Sequence, residues 1–283
     1  MAAVKSALII TNLSKERASS LHDQIMIYLV EKGIHVQEHS FDGNPGKFLL
    51  EKADLAIVLG GDGTVLYSAR LCVGMNMPIL AINLGTFGFL AEVNPDEWIT
   101  AFESFQNGTM GISHRIMLNT VLRRDGKDIA SFCCLNDCVI SSTGMAKIVN
   151  LKVNISNQEV IEYRADGIIL ATSTGSTAYS MAAGGPIVHP ELSSMVVNPI
   201  NPFTLSNRPL VIPAEEEVTI LVSQQQRTNL VLTLDGQDVI PLILGDEVIT
   251  RKHRYTADLL SFKKMNFYEV VRKKLDWKGG PHD

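Results

Sequence analysis

Five residues narrow the folds open to this chain more than any others: Gly60-Gly61-Asp62-Gly63-Thr64. They follow directly on the apolar run Ala56-Ile57-Val58-Leu59 and precede a helical pattern that begins near Val65. A buried strand turning sharply into a helix is where an open parallel sheet offers main-chain N–H groups to a ligand. Three glycines in four positions permit close approach of a phosphate and positive φ angles, and Thr64 can cap the helix with its hydroxyl. Asp62 is the unusual member. A carboxylate repels phosphates unless a divalent cation bridges them, or unless it takes a proton from an attacking hydroxyl. A plain glycine-rich turn with Asp62 supporting the cap is the competing reading. A P-loop is excluded because no Gly-Lys-Ser/Thr follows, and the spacing excludes a G-x-G-x-x-G dinucleotide turn.

The surrounding pattern agrees with such a sheet. Apolar runs at residues 7–11, 34–38, 54–59 and 79–83 alternate with helical spacing over 15–32 and 65–73, and Gly33 stands where a helix C-terminal glycine belongs. After a linking helix over 96–106, short apolar segments at 117–123, 129–134, 139–142, 148–155 and 158–162 are separated by turn residues such as Asp125-Gly126. Segments 210–212, 218–222, 230–234, 248–253 and 257–260 continue that texture. The expected fold class is an α/β N-terminal domain with a parallel sheet over residues 1–113, and a mostly β, sandwich-like C-terminal domain over 114–262. Residues 263–283 return to helical spacing and are expected to pack back on the N-terminal domain.

Charge and cysteine usage narrow the function classes. Lys and Arg total 25 against 30 Asp and Glu, a formal net charge of −5, so no chain-wide positive field exists to hold nucleic acid. Only 19% of residues are charged, against about 25% in an average globular chain, which points to an oligomer. Four cysteines without the spacing of a disulfide framework indicate a reducing, cytoplasmic setting. The apolar run at 7–10 is too short for a signal peptide. The uncharged stretch 167–190 holds Gly175, Gly184, Gly185 and Pro186, so it is no membrane span.

Two further motifs lie in the second half. Asn136-Asp137 falls between strand-like segments, where an amide and a carboxylate can meet a base or sugar; a simple turn is the alternative. Residues 166–180 run from an apolar strand through a hydroxyl-rich glycine turn into a helix ending at Gly184-Gly185-Pro186. Ser176 and Thr177 can bind polar groups there, Ala178 leaves room for a flat ring, and Tyr179 packs nearby. An ordinary capped helix with structural hydroxyls competes with that reading.

Gly60 to Thr64 is similar to the signature shared by NAD kinases, diacylglycerol and sphingosine kinases and, more distantly, phosphofructokinases. Residues 166–186, Asn136-Asp137, residues 83–90 (Asn-Leu-Gly-Thr-Phe-Gly-Phe-Leu) and 206–212 (Ser-Asn-Arg-Pro-Leu-Val-Ile) choose among these. From first strand to last helix, the chain resembles an NAD kinase of the bacterial type. That resemblance implies a two-domain NAD kinase-like fold. It also implies transfer of the γ-phosphoryl of ATP, or of polyphosphate in some members, to the 2′-hydroxyl of the NAD adenosine ribose, with a divalent cation (Mg²⁺ or Mn²⁺). Carried over by position, Asp62 is the catalytic aspartate, and Gly60, Gly61, Gly63 and Thr64 face phosphate. Asn136 and Asp137 bind the ribose and nicotinamide ends of NAD, Thr177, Ala178 and Tyr179 form the nucleotide pocket, and Phe89 is a wall aromatic. Gly63, Arg164, Thr174 and Ala182 complete the NAD-binding set, and Asp166 matches a carboxylate that in family tetramers reaches the NAD of a neighbouring subunit. Two positions depart from the family. Ser173 replaces the usual proline, which should loosen the turn before Thr174, and Asp137 is one methylene shorter than the commoner glutamate.

Other residues read as structural. Cys133, Cys134 and Cys138 lack a complementary pair at zinc spacing and are expected to be buried strand cysteines. His189 and His253 suit surface or structural roles, Arg272-Lys273-Lys274 suits a solvated helix face, and Asp235-Gly236 is a hairpin turn that also fits the family. A lipid kinase using the same glycine turn lacks support from any amphipathic membrane-binding helix, and a noncatalytic NAD or NADP sensor is opposed by Asp62 and its intact glycines.

Overall fold

The computed structural model describes residues 4–276 except 44, 47, 86–87, 145–146, 205, 225, 227 and 263–266. Two compact units divide the chain: residues 1–114 with 257–283, and residues 115–256.

The first unit contains β1 (Ser6–Asn12), α1 (Ala18–Glu31), β2 (His35–Phe41), β3 (Leu55–Gly60), α2 (Asp62–Leu71), β4 (Ile79–Asn83), α3 (Trp98–Gln106) and β5 (Gly111–Arg115). The second unit contains β6 (Leu118–Arg124), β7 (Lys127–Cys134), β8 (Asp137–Ser142), β9 (Val149–Ile155), β10 (Gln158–Ala165), β11 (Gly167–Thr172), α4 (Tyr179–Ala182) and β12 (Ser194–Ile200). It continues with β13 (Leu210–Pro213), β14 (Val218–Val222), β15 (Leu230–Leu234), β16 (Asp238–Leu242) and β17 (Glu247–Lys252). The chain then returns to the first unit with β18 (Ala257–Ser261) and α5 (Phe267–Lys274).

In the first unit the strand order is β2-β1-β3-β4-β18-β5, with β1, β2, β3 and β4 parallel to their neighbours. Every residue of β3 is buried, as expected of a central parallel strand covered on both faces. α1 turns Leu21, Ile25 and Leu29 inward at helical spacing, and Gly33, at φ 72°, ends it: the Ile34 N–H donates to the Leu29 carbonyl. In the second unit two antiparallel sheets, β10-β9-β14-β17-β6-β7 and β13-β12-β11-β8-β15-β16, enclose a core drawn from both. β11 is buried on both faces. Ile168 and Leu170 point into the sandwich, while Ile169 and Ala171 lie under a layer that includes Ala183 and Val188. That double burial is why residues 167–172 carry no charge.

Three expectations need correction. Residues 257–260 do not extend the β-rich domain. β18 pairs in parallel with β4, Leu259 opposite Ile79, so the domain expected over 114–262 ends at 256. Strand partnership over more than 170 residues leaves no local signal. Second, α2 begins at Asp62 rather than Val65, with Gly61 as its N-cap and no side-chain cap, so Thr64 does not cap. Third, none of Gly60, Gly61 and Gly63 has positive φ. Among the described residues, no helix is long and apolar enough to cross a membrane.

Candidate active site

In the first unit, Gly60 ends β3 and Asp62 is the first residue of α2, at the carboxyl edge of the parallel sheet. Gly60 is required by packing. A Cβ there would lie 2.2 Å from Thr64 Oγ1, and Thr64 is buried. The Thr64 hydroxyl thus faces β3, with Asn12 Nδ2 at 3.5 Å, and not open solvent. Gly61 and Gly63 differ: nothing lies within 4 Å of an added Cβ at either, so a ligand can come close to the main chain on both sides of Asp62.

The Asp62 carboxylate holds the loop after β4. It accepts main-chain N–H groups from Phe89 at 2.8 Å, Leu90 at 3.1 Å and Ala91 at 3.2 Å. Gly88 lets the loop come this near, since a Cβ there would sit 2.0 Å from Asp62 Oδ1. Phe89, the expected wall aromatic, is half-buried, with the Lys274 ammonium of α5 5.6 Å from its ring centroid. Lys274 therefore does more than solvate a helix face. Thr86 and Phe87 of the 83–90 motif, and Trp277 of the closing segment, lie outside the described residues.

In the second unit, Asn136 and Asp137 stand at the start of β8 beside the turn that follows β11. Their main chain is gripped from both sides. The Thr172 N–H donates to the Asn136 carbonyl at 2.8 Å, and the Thr172 hydroxyl donates to the Leu135 carbonyl at 2.6 Å while accepting the Gly175 N–H at 2.9 Å. From the other side, the Asp235 carboxylate accepts the N–H groups of Leu135, Asn136 and Asp137 at 2.9, 2.7 and 3.1 Å. Burial, and then the neighbouring Asp235 charge, push the Asp137 carboxyl up to about 7.

A short 3₁₀ turn, Gly175–Thr177, precedes α4, so the helix expected to reach Gly184 is a single turn. Ser176 is buried and serves the turn, its hydroxyl donating to the Ser173 carbonyl at 2.7 Å and accepting the Val188 N–H at 3.0 Å. Thr174 is buried with an unpartnered Oγ1, Thr177 and Ala178 are half-buried, and Tyr179 and Ala182 are exposed. Ser173 does not loosen the turn: its buried hydroxyl donates to the Leu192 carbonyl at 2.7 Å, tying the turn to the segment before β12. Gly175 leaves no freedom either, because a Cβ would lie 2.0 Å from the Asn136 carbonyl oxygen. Gly175→Ala should lower the unfolding midpoint of this unit by roughly 5–10 °C, read by calorimetry, from about 2–3 kcal/mol of overpacking.

The remaining site candidates are elsewhere. Register places Ala171 opposite Asp137 and Gly167 opposite Ser141, so Asp166, just before β11, lies about 17 Å from Asp137 at ~3.3 Å per residue, and Arg164 belongs to β10, paired with β9 in the other sheet. Arg164 stacks over Phe203 at 5.2 Å, and Asp166 accepts from Asn201 Nδ2 at 3.0 Å. No disulfide joins the four cysteines, and burial raises the thiols of Cys72 and Cys138 to about 12 and that of Cys134 well above its usual value. Sequence reasoning missed two holding devices, the grip of Asp62 on residues 89–91 and that of Asp235 on 135–137; the Asp235-Gly236 pair shows only its turn.

A parallel sheet with an acidic glycine turn at its carboxyl edge, in one chain with a β-sandwich that carries a second hydroxyl-rich turn, defines a two-domain nucleotide-binding protein. Residues 45–110 match the ATP-NAD kinase N-terminal domain and residues 135–262 the ATP-NAD kinase C-terminal domain. The chain belongs to the NAD kinase family. It is 38% identical over 277 residues to the NAD kinase of Treponema denticola, covering 98% of each chain. With the NAD kinase of Magnetococcus marinus it shares 41% over 227 residues, 80% of this chain and 75% of that one. Its fold is that of yeast NADH kinase, solved with NADH (TM-score 0.86, 24% identity, 100% of this chain and 90% of that one). The same fold occurs in an NAD kinase from Archaeoglobus fulgidus solved with ATP (TM-score 0.72, 21% identity, 97% and 99% covered).

Proposed function

We propose that this chain is an NAD kinase that transfers the γ-phosphoryl of ATP to the 2′-hydroxyl of the adenosine ribose of NAD, releasing ADP and NADP. The observation that carries the reading is Asp62 at the head of α2, flanked by two glycines whose side-chain faces are open. A ribose hydroxyl is a weak nucleophile at neutral pH, so a carboxylate within reach of its proton supplies general-base help. The bond from O2′ to the γ-phosphorus forms as the bond from that phosphorus to the bridging oxygen breaks; the proton passes to Asp62 and the electron pair leaves with ADP. Main-chain N–H groups at the turn stabilise charge on the phosphoryl oxygens.

Among the described residues no three His, Cys, Asp or Glu side chains converge on a point that could hold a metal ion. The donor chemistry therefore suits Mg²⁺ or Mn²⁺ carried by the nucleotide's own phosphate oxygens and water, with Asp62 as the carboxylate at the turn. When bound, the cation neutralises phosphate charge.

Asn136, Asp137, Thr174, Thr177, Ala178 and Tyr179 are assigned to NAD, supported by their shared end of β8 and β11. Asp166, at the other end of β11, and Arg164, near the end of β10, suit an NAD held by a neighbouring subunit of a homodimer or homotetramer. Four cysteines with no disulfide among them suit a reducing cytoplasm.

The test is NADP formation from NAD, ATP and Mg²⁺ by the purified chain, read by an NADP-specific cycling assay. Turnover is expected. Tight NAD binding in a calorimeter without product would make the chain a sensor, and phosphorylation of diacylglycerol in micelles with NAD inert would make it a lipid kinase.

A further inference from the structure

We propose that Asp235 is a positioning residue for the NAD site: its buried carboxylate, by gripping three successive main-chain N–H groups at 135–137, sets where the Asn136 and Asp137 side chains point. This rests on the assignment of those two residues to NAD. Asp235 opens the turn between β15 and β16 at φ 50°, followed by Gly236 at φ 66°, so its backbone alone satisfies a hairpin. A hairpin needs nothing more from the side chain. Yet Asp235 is 7% exposed and its carboxylate spans to the junction of β7 and β8. Its own N–H also donates to the Asp137 carbonyl at 3.0 Å, which makes the linkage reciprocal.

The geometry resembles that of a ligand support. Charge-assisted bonds to N–H groups are shorter and stronger than neutral ones, and here they hold one side of the Asn136-Asp137 main chain while Thr172 holds the other. Burying Asp235 beside Asp137 is costly for a turn alone, because two neighbouring carboxylates are then both withdrawn from water. The groups facing Asp137 are Asp235, from the turn after β15, with the Cys134 thiol of β7 and the Cys138 thiol of its own strand nearby. Asp235 thereby acts on Asp137 twice, through the backbone it holds and through its charge.

Asp235→Asn separates this from a turn role. The turn conformation survives, since Asn also adopts positive φ, but an amide nitrogen now opposes a donor. The KM for NAD should rise by about tenfold or more with kcat and the KM for ATP changed about twofold at most, the size of effect seen when a supporting hydrogen bond around a site is cut. In the NAD-free protein, the Asp137 carboxyl followed by ¹³C NMR should titrate at lower pH than in the wild type, because the neighbouring charge is gone. If Asp235→Asn does not fold, Thr172→Val and Thr172→Ser decide. Valine should raise the KM for NAD in the same way, and serine, which keeps the hydroxyl, should restore it. A folded Asp235→Asn protein with an unchanged KM for NAD, or with Asp137 titrating as before, overturns the proposal; so does a Thr172→Val protein that binds NAD normally. The NMR reading needs no turnover, so an inactive wild type would remove the kinase assignment without deciding this one.

Discussion

Asp62→Asn should lower kcat for NADP formation by about 10²- to 10⁴-fold, the usual contribution of a positioned general base. The side chain has two tasks, and the substitution touches both. An amide cannot accept the ribose proton, and it keeps only one acceptor oxygen for the three N–H groups of residues 89–91. Turning its NH₂ toward one of those donors costs about 1–3 kcal/mol of loop order. Gly88→Ala keeps the proton acceptor but crowds it, because a Cβ there would lie 2.0 Å from Asp62 Oδ1, so the carboxylate and the loop it holds must move apart. Gly88→Ala is expected to lower kcat much less than Asp62→Asn, measured side by side under saturating NAD and ATP. Equal losses would mean that the placement of the carboxylate against residues 88–91 limits turnover as much as its basicity does, and near-normal turnover by Asp62→Asn would remove it from the chemistry altogether.

Asp137→Asn should make the protein more stable in alkali and leave stability unchanged in acid. The folded Asp137 carboxyl sits at about 7 against 3.8 for the unfolded chain, through burial and then the Asp235 charge. Between these values the unfolded chain has lost a proton that the folded one keeps. Stability contributed by this group therefore falls as pH rises from about 4 to 7, is fully lost above 7, and is intact below 4. The full cost is on the order of 4 kcal/mol, and asparagine, which carries no charge, should recover about 2–4 kcal/mol of it near pH 8. Urea unfolding of both proteins across the pH range checks this, and a stability difference independent of pH would show that Asp137 ionises normally. Affinity for NAD should fall in the same variant, which would make the unfavourable carboxylate one that binding, not folding, explains.

How much was legible in advance depends on the range over which each feature is encoded. The parallel sheet and the acidic turn could be read directly: apolar runs alternate with helical spacing, and a glycine cluster directly after Leu59 leaves few other local structures. Asn136-Asp137 and the hydroxyl turn were visible as motifs, but their contact was not, because Thr172 and Asn136 are 36 positions apart. β18 was misplaced for the same reason. Its pattern is that of any short strand, and only pairing with Ile79 assigns it to the first sheet. The local reading also erred on why the glycines are there. Gly60 and Gly175 have no unusual φ; each makes room for a particular neighbour, Thr64 in one case and the Asn136 carbonyl in the other.

The chain's own order of residues determined the fold class, the family and the identity of its reactive groups, since these follow from periodicity and from motifs a few residues long. Tertiary structure alone decided which carboxylates hold main chain, which hydroxyls are turned inward, and that Arg164 and Asp166 stand apart from Asn136. Hydrogen bonds and close contacts of that kind join segments far apart in sequence. Their partners exist only after strands have paired and the cores have closed.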